Sequence, residues 1–154
     1  VLGTSLVTNQ DFAAEALSRY PELLVAGIDA KNGEVAVAGW REGAGVPAEE
    51  LIAEVGKLGF KHLVYTDISR DGMQTGIDAG RYVEIAKVFG HPVIASGGVA
   101  NLDDITHLAT VADSIEGVIA GRAVYEKTLD IVQALALCEE ATEKVLAEKV
   151  RNKQ

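Results

Sequence analysis

Short apolar runs that alternate with amphipathic helical patterns constrain this chain more than any other feature. Residues 23–29 (LLVAGID), 61–66 (KHLVYT), 92–96 (PVIAS) and 116–120 (EGVIA) are each brief, rich in aliphatic residues and closed by turn chemistry. Runs of this kind read as strands buried on both faces of a parallel sheet. Helical patterns separate them. Thr8 or Asn9 caps a helix to about Tyr20, with Phe12, Ala13, Ala16 and Leu17 on one face and Pro21 at its end. Pro47 opens a helix to about Leu58, with Leu51, Ile52, Val55 and Leu58 inward and Gly59 as the stop. Asp78 caps a helix to about Phe89, and Asn101 caps one over residues 102–112. A short helix follows Gly121-Arg122, and the last helix runs from about Asp130 to Lys149 into a charged tail, residues 139–154 being helical and highly charged. Residues 1–4 (VLGT) read as the end of a strand, and residues 34–38 as a short extended excursion towards Gly39-Trp40.

Strands that alternate with helices require parallel pairing through right-handed crossovers. The expected fold class is therefore α/β, built of βα units, in a single domain over residues 1–154. An open doubly wound sheet and part of a (βα)8 barrel both satisfy the pattern. A complete barrel takes about 250 residues, whereas this chain has 154; the polar residues at the strand ends fit a partial barrel better. Asp29, Thr66, Gly97 and Gly121 each end an apolar run, so all four are expected at one edge of the sheet. The chain also opens on Val1, inside an apolar run, which is unusual for a natural terminus.

Composition narrows the partners. With 48% hydrophobic and 24% charged residues and no low-complexity stretch, the chain is globular. A net charge of −9 argues against nucleic-acid or anionic-membrane binding. It leaves room for a small anionic substrate, because backbone N–H groups bind phosphate even in an acidic protein. The single Cys138 leaves no disulfide framework and points to a reducing cytoplasm. No apolar run approaches membrane-spanning length and no signal peptide is visible.

The candidate site residues cluster at strand ends. Asp29 closes the first apolar run, where a carboxylate serves either as a turn cap or in chemistry, since parallel α/β folds build sites at the C-terminal ends of their strands. Thr66-Asp67 closes the second, followed by a polar loop with Arg70 and Asp71. Gly97-Gly98 and Gly121 each stand between a buried strand and a helix, as turn glycines or as cradles of exposed N–H groups for phosphate. Trp40, the only Trp, is core filler or a cover over a ligand. His62, His91 and His107 lack metal-ligand spacing and read as structural or surface residues. Cys138 falls on the apolar face of the last helix, away from any base.

Four stretches, GIDAKNGEVAVAGW, YTDISRDGMQTG, PVIASGGV and GVIAGRAVY, together resemble the C-terminal part of the phosphoribosylformimino-aminoimidazole-carboxamide ribotide isomerase family of histidine biosynthesis. The resemblance runs from Val1 to about Cys138. It implies a (βα)8 barrel of two similar halves, with residues 1–4 as its fourth strand and residues 116–120 in its eighth. It also implies an Amadori rearrangement of a bis-phosphorylated aminoaldose, by acid and base catalysis and without cofactor or metal. By that resemblance Asp29 is one catalytic carboxylate, Thr66 a supporting polar group near the sugar ring and Asp71 its loop companion. Gly97, Gly98, Gly121 and Arg122 resemble one phosphate site, and Gly3 and Thr4 part of the opposite one. Trp40 would cover the substrate as its loop closes. The family's other catalytic Asp, on its first strand, has no counterpart here, and Asp67 is misplaced to replace it.

The cyclase of the same pathway shares the half-barrel design, but Gly121-Arg122 and the TDISRDG loop favour the isomerase. A dual isomerase that also accepts phosphoribosyl anthranilate, and a non-catalytic half-barrel that keeps a phosphate site, remain the alternatives. The implied partners are a bis-phosphorylated small molecule and either a segment carrying the first three barrel strands or a second copy of the chain. Replacing Gly98 by a bulky residue is expected to weaken phosphate binding without unfolding the chain.

Overall fold

A computed structural model of the chain describes residues 1–37, 42–73 and 75–152. In chain order the elements are α1 Ser5–Thr8, α2 Gln10–Arg19, β1 Val25–Lys31, β2 Glu34–Val37, β3 Glu42–Pro47, α3 Ala48–Leu58, β4 His62–Asp67, α4 Ala79–Phe89, β5 Val93–Ser96, α5 Leu102–Ala109, a 3-10 turn Ala112–Ser114, β6 Ile115–Ile119, α6 Arg122–Tyr125 and α7 Ile131–Arg151. They form a mixed α/β fold around one six-stranded sheet, ordered β3-β2-β1-β4-β5-β6. The strands β1, β4, β5 and β6 pair in parallel and in sequence order. Leu2 adds a parallel bridge to Ala26 on the far side of β1, so residues 1–4 approach the sheet as expected. The architecture is compatible with part of a (βα)8 barrel. Among the described residues, no helix is long and apolar enough to cross a membrane.

The sheet is mostly parallel, not wholly so. The extended excursion after β1 is the first arm of an antiparallel hairpin, β2–β3, which attaches to β1 through Ala30 and Lys31. The second arm is missing from the sequence reading because Glu-Gly-Ala-Gly has little strand propensity of its own; pairing with β2 holds it extended. The same attachment carries β1 two residues beyond Asp29.

Local chemistry sets the helix ends. Asn9, not Thr8, caps α2: its side chain accepts from the Phe12 N–H at 3.1 Å. Asp78 caps α4, Asn101 caps α5 and Asp130 caps α7, each through its side-chain oxygen. The α5 helix stops at Ala109, short of the expected residue 112, where the Thr110 hydroxyl donates to the His107 carbonyl at 2.7 Å and a 3-10 turn takes over. Phe12 and Leu58, expected to face inward, stay exposed at the rims of their apolar arcs.

Burial alternates along the parallel strands. In β1, Ala26, Ile28 and Ala30 are buried while Val25, Gly27 and Asp29 are half-covered. Leu63 and Tyr65 of β4 and Val93 and Ala95 of β5 continue the buried row and pack into one cluster with Leu51, Ile52 and Val55 of α3 and Tyr82, Ile85 and Phe89 of α4. One face is thus the floor beneath the helices, and the other carries the strand-end polar groups.

The α3–α4 packing leaves no room at Gly56, where an added Cβ would lie 2.7 Å from the Phe89 carbonyl oxygen. Gly56→Ala therefore sets a gain in helix propensity of about 1 kcal/mol against overpacking of backbone that costs roughly 1–3 kcal/mol. The expected outcome is a net loss of stability, read as a lower urea midpoint with unchanged slope.

Candidate functional site

Register brings the strand-end residues into one row. Asp29 of β1 is paired with Thr66 of β4, Thr66 with Ser96 of β5, and Ser96 with Ile119 of β6. Neighbouring parallel strands lie about 4.8 Å apart, so Asp29, Thr66 and Ser96 form a contiguous polar strip on the face away from the core helices. Thr66 and Ser96 are buried and Asp29 is half-buried. Gly97 follows β5 directly and Gly121 follows β6, so the four strand-end positions share the C-terminal edge. Ser96 was not singled out in the sequence; its place as the last residue of PVIAS, one strand from Thr66, was the available signal.

Asp29 opens into a small polar cavity of about 110 Å³, walled by Gly3, Thr4, Gly27, Val35, Val37 and Leu51 among others. Gly3 and Thr4 from one apolar run therefore meet Asp29 from another. Gly27 permits this approach, since an added Cβ there would come within 2.8 Å of the Val1 side chain. A larger groove of about 400 Å³ lies at the other end of the strands, between α5, β6 and α7, and contains none of the strand-end candidates. His62 and Glu116 line that groove and pair there at 2.6 Å, a structural setting for His62. The Cys138 thiol lines it too, and burial pushes its pKa up, which disfavours the nucleophilic thiolate.

The β4–α4 loop is built by its own side chains. Asp67 accepts from the Ser69 N–H at 3.0 Å and its hydroxyl at 2.5 Å, and faces Arg70 at 3.5 Å, so its carboxylate organises the turn. Arg70 donates to the Gly76 carbonyl at 3.1 Å. At the start of α6, Arg122 donates to the Gly72 carbonyl and to Glu126 at 2.5 Å, which fastens the loop there. Asp71 is exposed on the loop and does not line the Asp29 cavity. Trp40 lies outside the described residues.

The Gly97-Gly98 turn sits beneath this loop. Both glycines are buried and have positive φ, 90° and 99°. An added Cβ on Gly97 would stand 2.5 Å from the Asp67 carbonyl oxygen, and one on Gly98 would stand 2.7 Å from that of Gly76. The expectation that Gly98 tolerates a bulky residue is therefore corrected: the loop backbone occupies that space. Below the turn, the buried Tyr82 hydroxyl donates to the Ser96 carbonyl at 2.6 Å. Burial raises its pKa well above the usual phenol range, so it remains a donor. Gly121, by contrast, is exposed and open at the start of α6. Among the described residues, no group of three or more His, Cys, Asp or Glu side chains is placed to hold a metal ion.

The profile of the family described as "Histidine biosynthesis protein" matches residues 1–130. The chain belongs to that family. A relative from Marinobacter nauticus is 44% identical over 140 residues, which are 90% of this chain and 57% of the relative. One from Hahella chejuensis is 46% identical over 140 residues, with the same two shares, 90% and 57%. One from Anaeromyxobacter sp. is 46% identical over 135 residues, 88% of this chain and 56% of the relative. All three carry the name 1-(5-phosphoribosyl)-5-((5-phosphoribosylamino)methylideneamino) imidazole-4-carboxamide isomerase. The resemblance drawn from the four sequence stretches is borne out, and the chain spans little more than half the length of these relatives.

Gly98→Ala is expected to destabilise the protein by about 1–3 kcal/mol, from positive-φ strain and the clash with loop backbone together. Amide hydrogen exchange is expected to quicken in residues 70–73 and 75–77 while β4 and β5 stay protected. Wild-type exchange in that loop would show that the close packing over Gly98 is not formed in solution.

Proposed function

We propose that this chain supplies the strand-four to strand-eight part of a (βα)8-barrel isomerase. That enzyme converts a bis-phosphorylated aminoaldose of histidine biosynthesis into the aminoketose by an Amadori rearrangement. The observation that carries the proposal is the position of Asp29, which lines one cavity with Gly3 and Thr4 and stands in one register row with Thr66 and Ser96. The names of the relatives support the same reaction.

The chemistry asks for a proton donor to open the ribose ring and a base to move the proton from C2. Asp29 takes one of these two roles, base at C2 or its acid counterpart, and a second carboxylate takes the other. Thr66, held beside it, donates to the developing oxygen of the opened ring, and Asp71 meets the substrate when the loop that carries it moves. One phosphate is held by backbone N–H groups at the Gly97-Gly98 turn and at Gly121, with Arg122, and the other near Gly3-Thr4. No step calls on a cofactor or a metal.

The second carboxylate belongs to a segment equivalent to the part of the relatives that this chain does not match, whether that segment lies on the same polypeptide or another. Support comes from what the sheet exposes. Beyond β6 no further strand pairs among the described residues, and Ile119 on that strand is 48% exposed. Along α7, Ile131, Val132, Leu135 and Leu146 are exposed as well. A free strand edge beside uncovered apolar side chains favours association.

Two outcomes test the proposal. The 154-residue chain alone is expected to self-associate and to show no turnover, while mixing with a segment carrying the first three barrel strands restores isomerisation; a stable, active monomer by size-exclusion chromatography and assay would refute this. In the complemented enzyme, Asp29→Asn is expected to lower kcat by about a hundred-fold or more, with substrate binding retained. Turnover near that of the parent would remove Asp29 from the mechanism.

A further inference from the structure

Asp104 stands out because its burial and its partners exceed what its helix requires. It is the third residue of α5 and only 6% exposed. Its side chain closes a capping box: Oδ2 accepts from the Asn101 N–H at 3.2 Å, while the Asn101 side chain takes up the start of the helix. A cap needs no more than that. Yet Oδ2 also accepts from the Ala100 N–H at 2.8 Å, and Oδ1 accepts from the Ile77 N–H at 2.9 Å. Ile77 is 27 residues away, at the end of the β4–α4 loop. One carboxylate therefore spans two loops, each of which follows a strand of the polar row.

Among the described residues, the two loops are otherwise joined by contact rather than by side-chain bonds. Gly76 sits over Gly98, and its own Cβ position is 3.2 Å from Asp104 Oδ1. Tyr82 fixes the start of the β5–α5 turn at Ser96, and Thr128 donates to the Ala100 carbonyl at 2.6 Å, but neither bonds to the β4–α4 loop through these groups. A carboxylate that accepts several N–H groups makes short, charge-assisted bonds, and removing it strands buried donors.

We infer that Asp104 is a positioning residue: it holds the β4–α4 loop in fixed register over the Gly97-Gly98 turn, and so sets the shape of the phosphate-binding mouth. The kinetic side of this inference rests on the isomerase reading above; the structural side does not.

The decisive variant is Asp104→Glu. Glutamate is the ordinary capping-box partner and keeps the helix cap, but its extra methylene carries the carboxylate away from Ile77. Asn101→Ala is the converse, weakening the cap while leaving the Ile77 bond. In the full chain, Asp104→Glu is expected to speed amide exchange at Ile77 and Ala100 by roughly 10- to 100-fold, as loss of a bond to a charged acceptor implies, with α5 protected as before. Asn101→Ala is expected to speed exchange in α5 and to spare Ile77. In the complemented enzyme, Asp104→Glu should raise KM for the phosphorylated substrate several-fold while kcat changes less. Exchange in Asp104→Glu that matches the wild type at Ile77, or that rises equally in α5 and the sheet, would overturn the inference. Turnover absent from the wild-type complement would count against the isomerase reading alone, since the exchange result stands without ligand.

Discussion

The parallel register across β1, β4 and β5 is the constraint on which the rest depends. Side chains alternate along a strand, so pairing Asp29 with Thr66 and Thr66 with Ser96 decides two things at once. It sends Ile28, Tyr65 and Ala95 under the helices, where they are at most 3% exposed, and it lifts the three polar residues onto the opposite face. A slip of one residue would exchange the two sets, burying a carboxylate under α3 and α4 and exposing the core. Core packing and site geometry are therefore specified by the same pairing, and each protects the other.

The core side of that pairing also anchors the strand ends on the site side. Tyr65 and Tyr82 meet edge to face at 5.9 Å, and the Tyr82 hydroxyl continues through the sheet edge to the Ser96 carbonyl. Arg81 lies over the Tyr65 ring and bonds Glu49 of α3 and Glu84 of its own helix. Glu49 and Glu84 are mostly exposed, so these ion pairs add little energy by themselves; the aromatic packing and the buried hydroxyl bond hold the strand end. The turn that begins there inherits its position from α4, not from the loop above it.

Much of this was legible in the chain because the informative signals are local. Buried strands announce themselves by short aliphatic runs, and Asn9, Asp78 and Asn101 announce helix starts within three residues of their partners. The strand-end Asp29 and the glycine pair after Ser96 follow from the same runs. What stayed hidden depends on partners distant in sequence. The β3 arm is strand only because β2 lies beside it, and the length of β1 depends on that hairpin. Asp104 reads as an ordinary capping residue until Ile77, 27 residues earlier, is placed against it. The bond from Arg122 to the Gly72 carbonyl, 50 residues earlier, likewise has no signal in the local sequence around Gly121-Arg122.

That last pairing bears on how an acidic protein of net charge −9 would accommodate the proposed bis-phosphorylated substrate. The two arginines at the mouth are engaged with backbone carbonyls and carboxylates: Arg70 with Gly76 and Asp67, Arg122 with Gly72 and Glu126. Each contact lowers the field such a cation offers to solvent, and each must be weakened before the guanidinium turns to a phosphate. Backbone N–H groups at strand-to-helix turns are dipoles fixed by the fold, although after β5 those of Ala100 and Asn101 are already taken by Asp104. The chain's overall charge and its proposed ligand are compatible on those terms, with the peptide backbone as anion receptor and the arginines as loop fasteners. Substrate phosphate would then compete with Gly72 for Arg122, so that binding and loop position become one equilibrium.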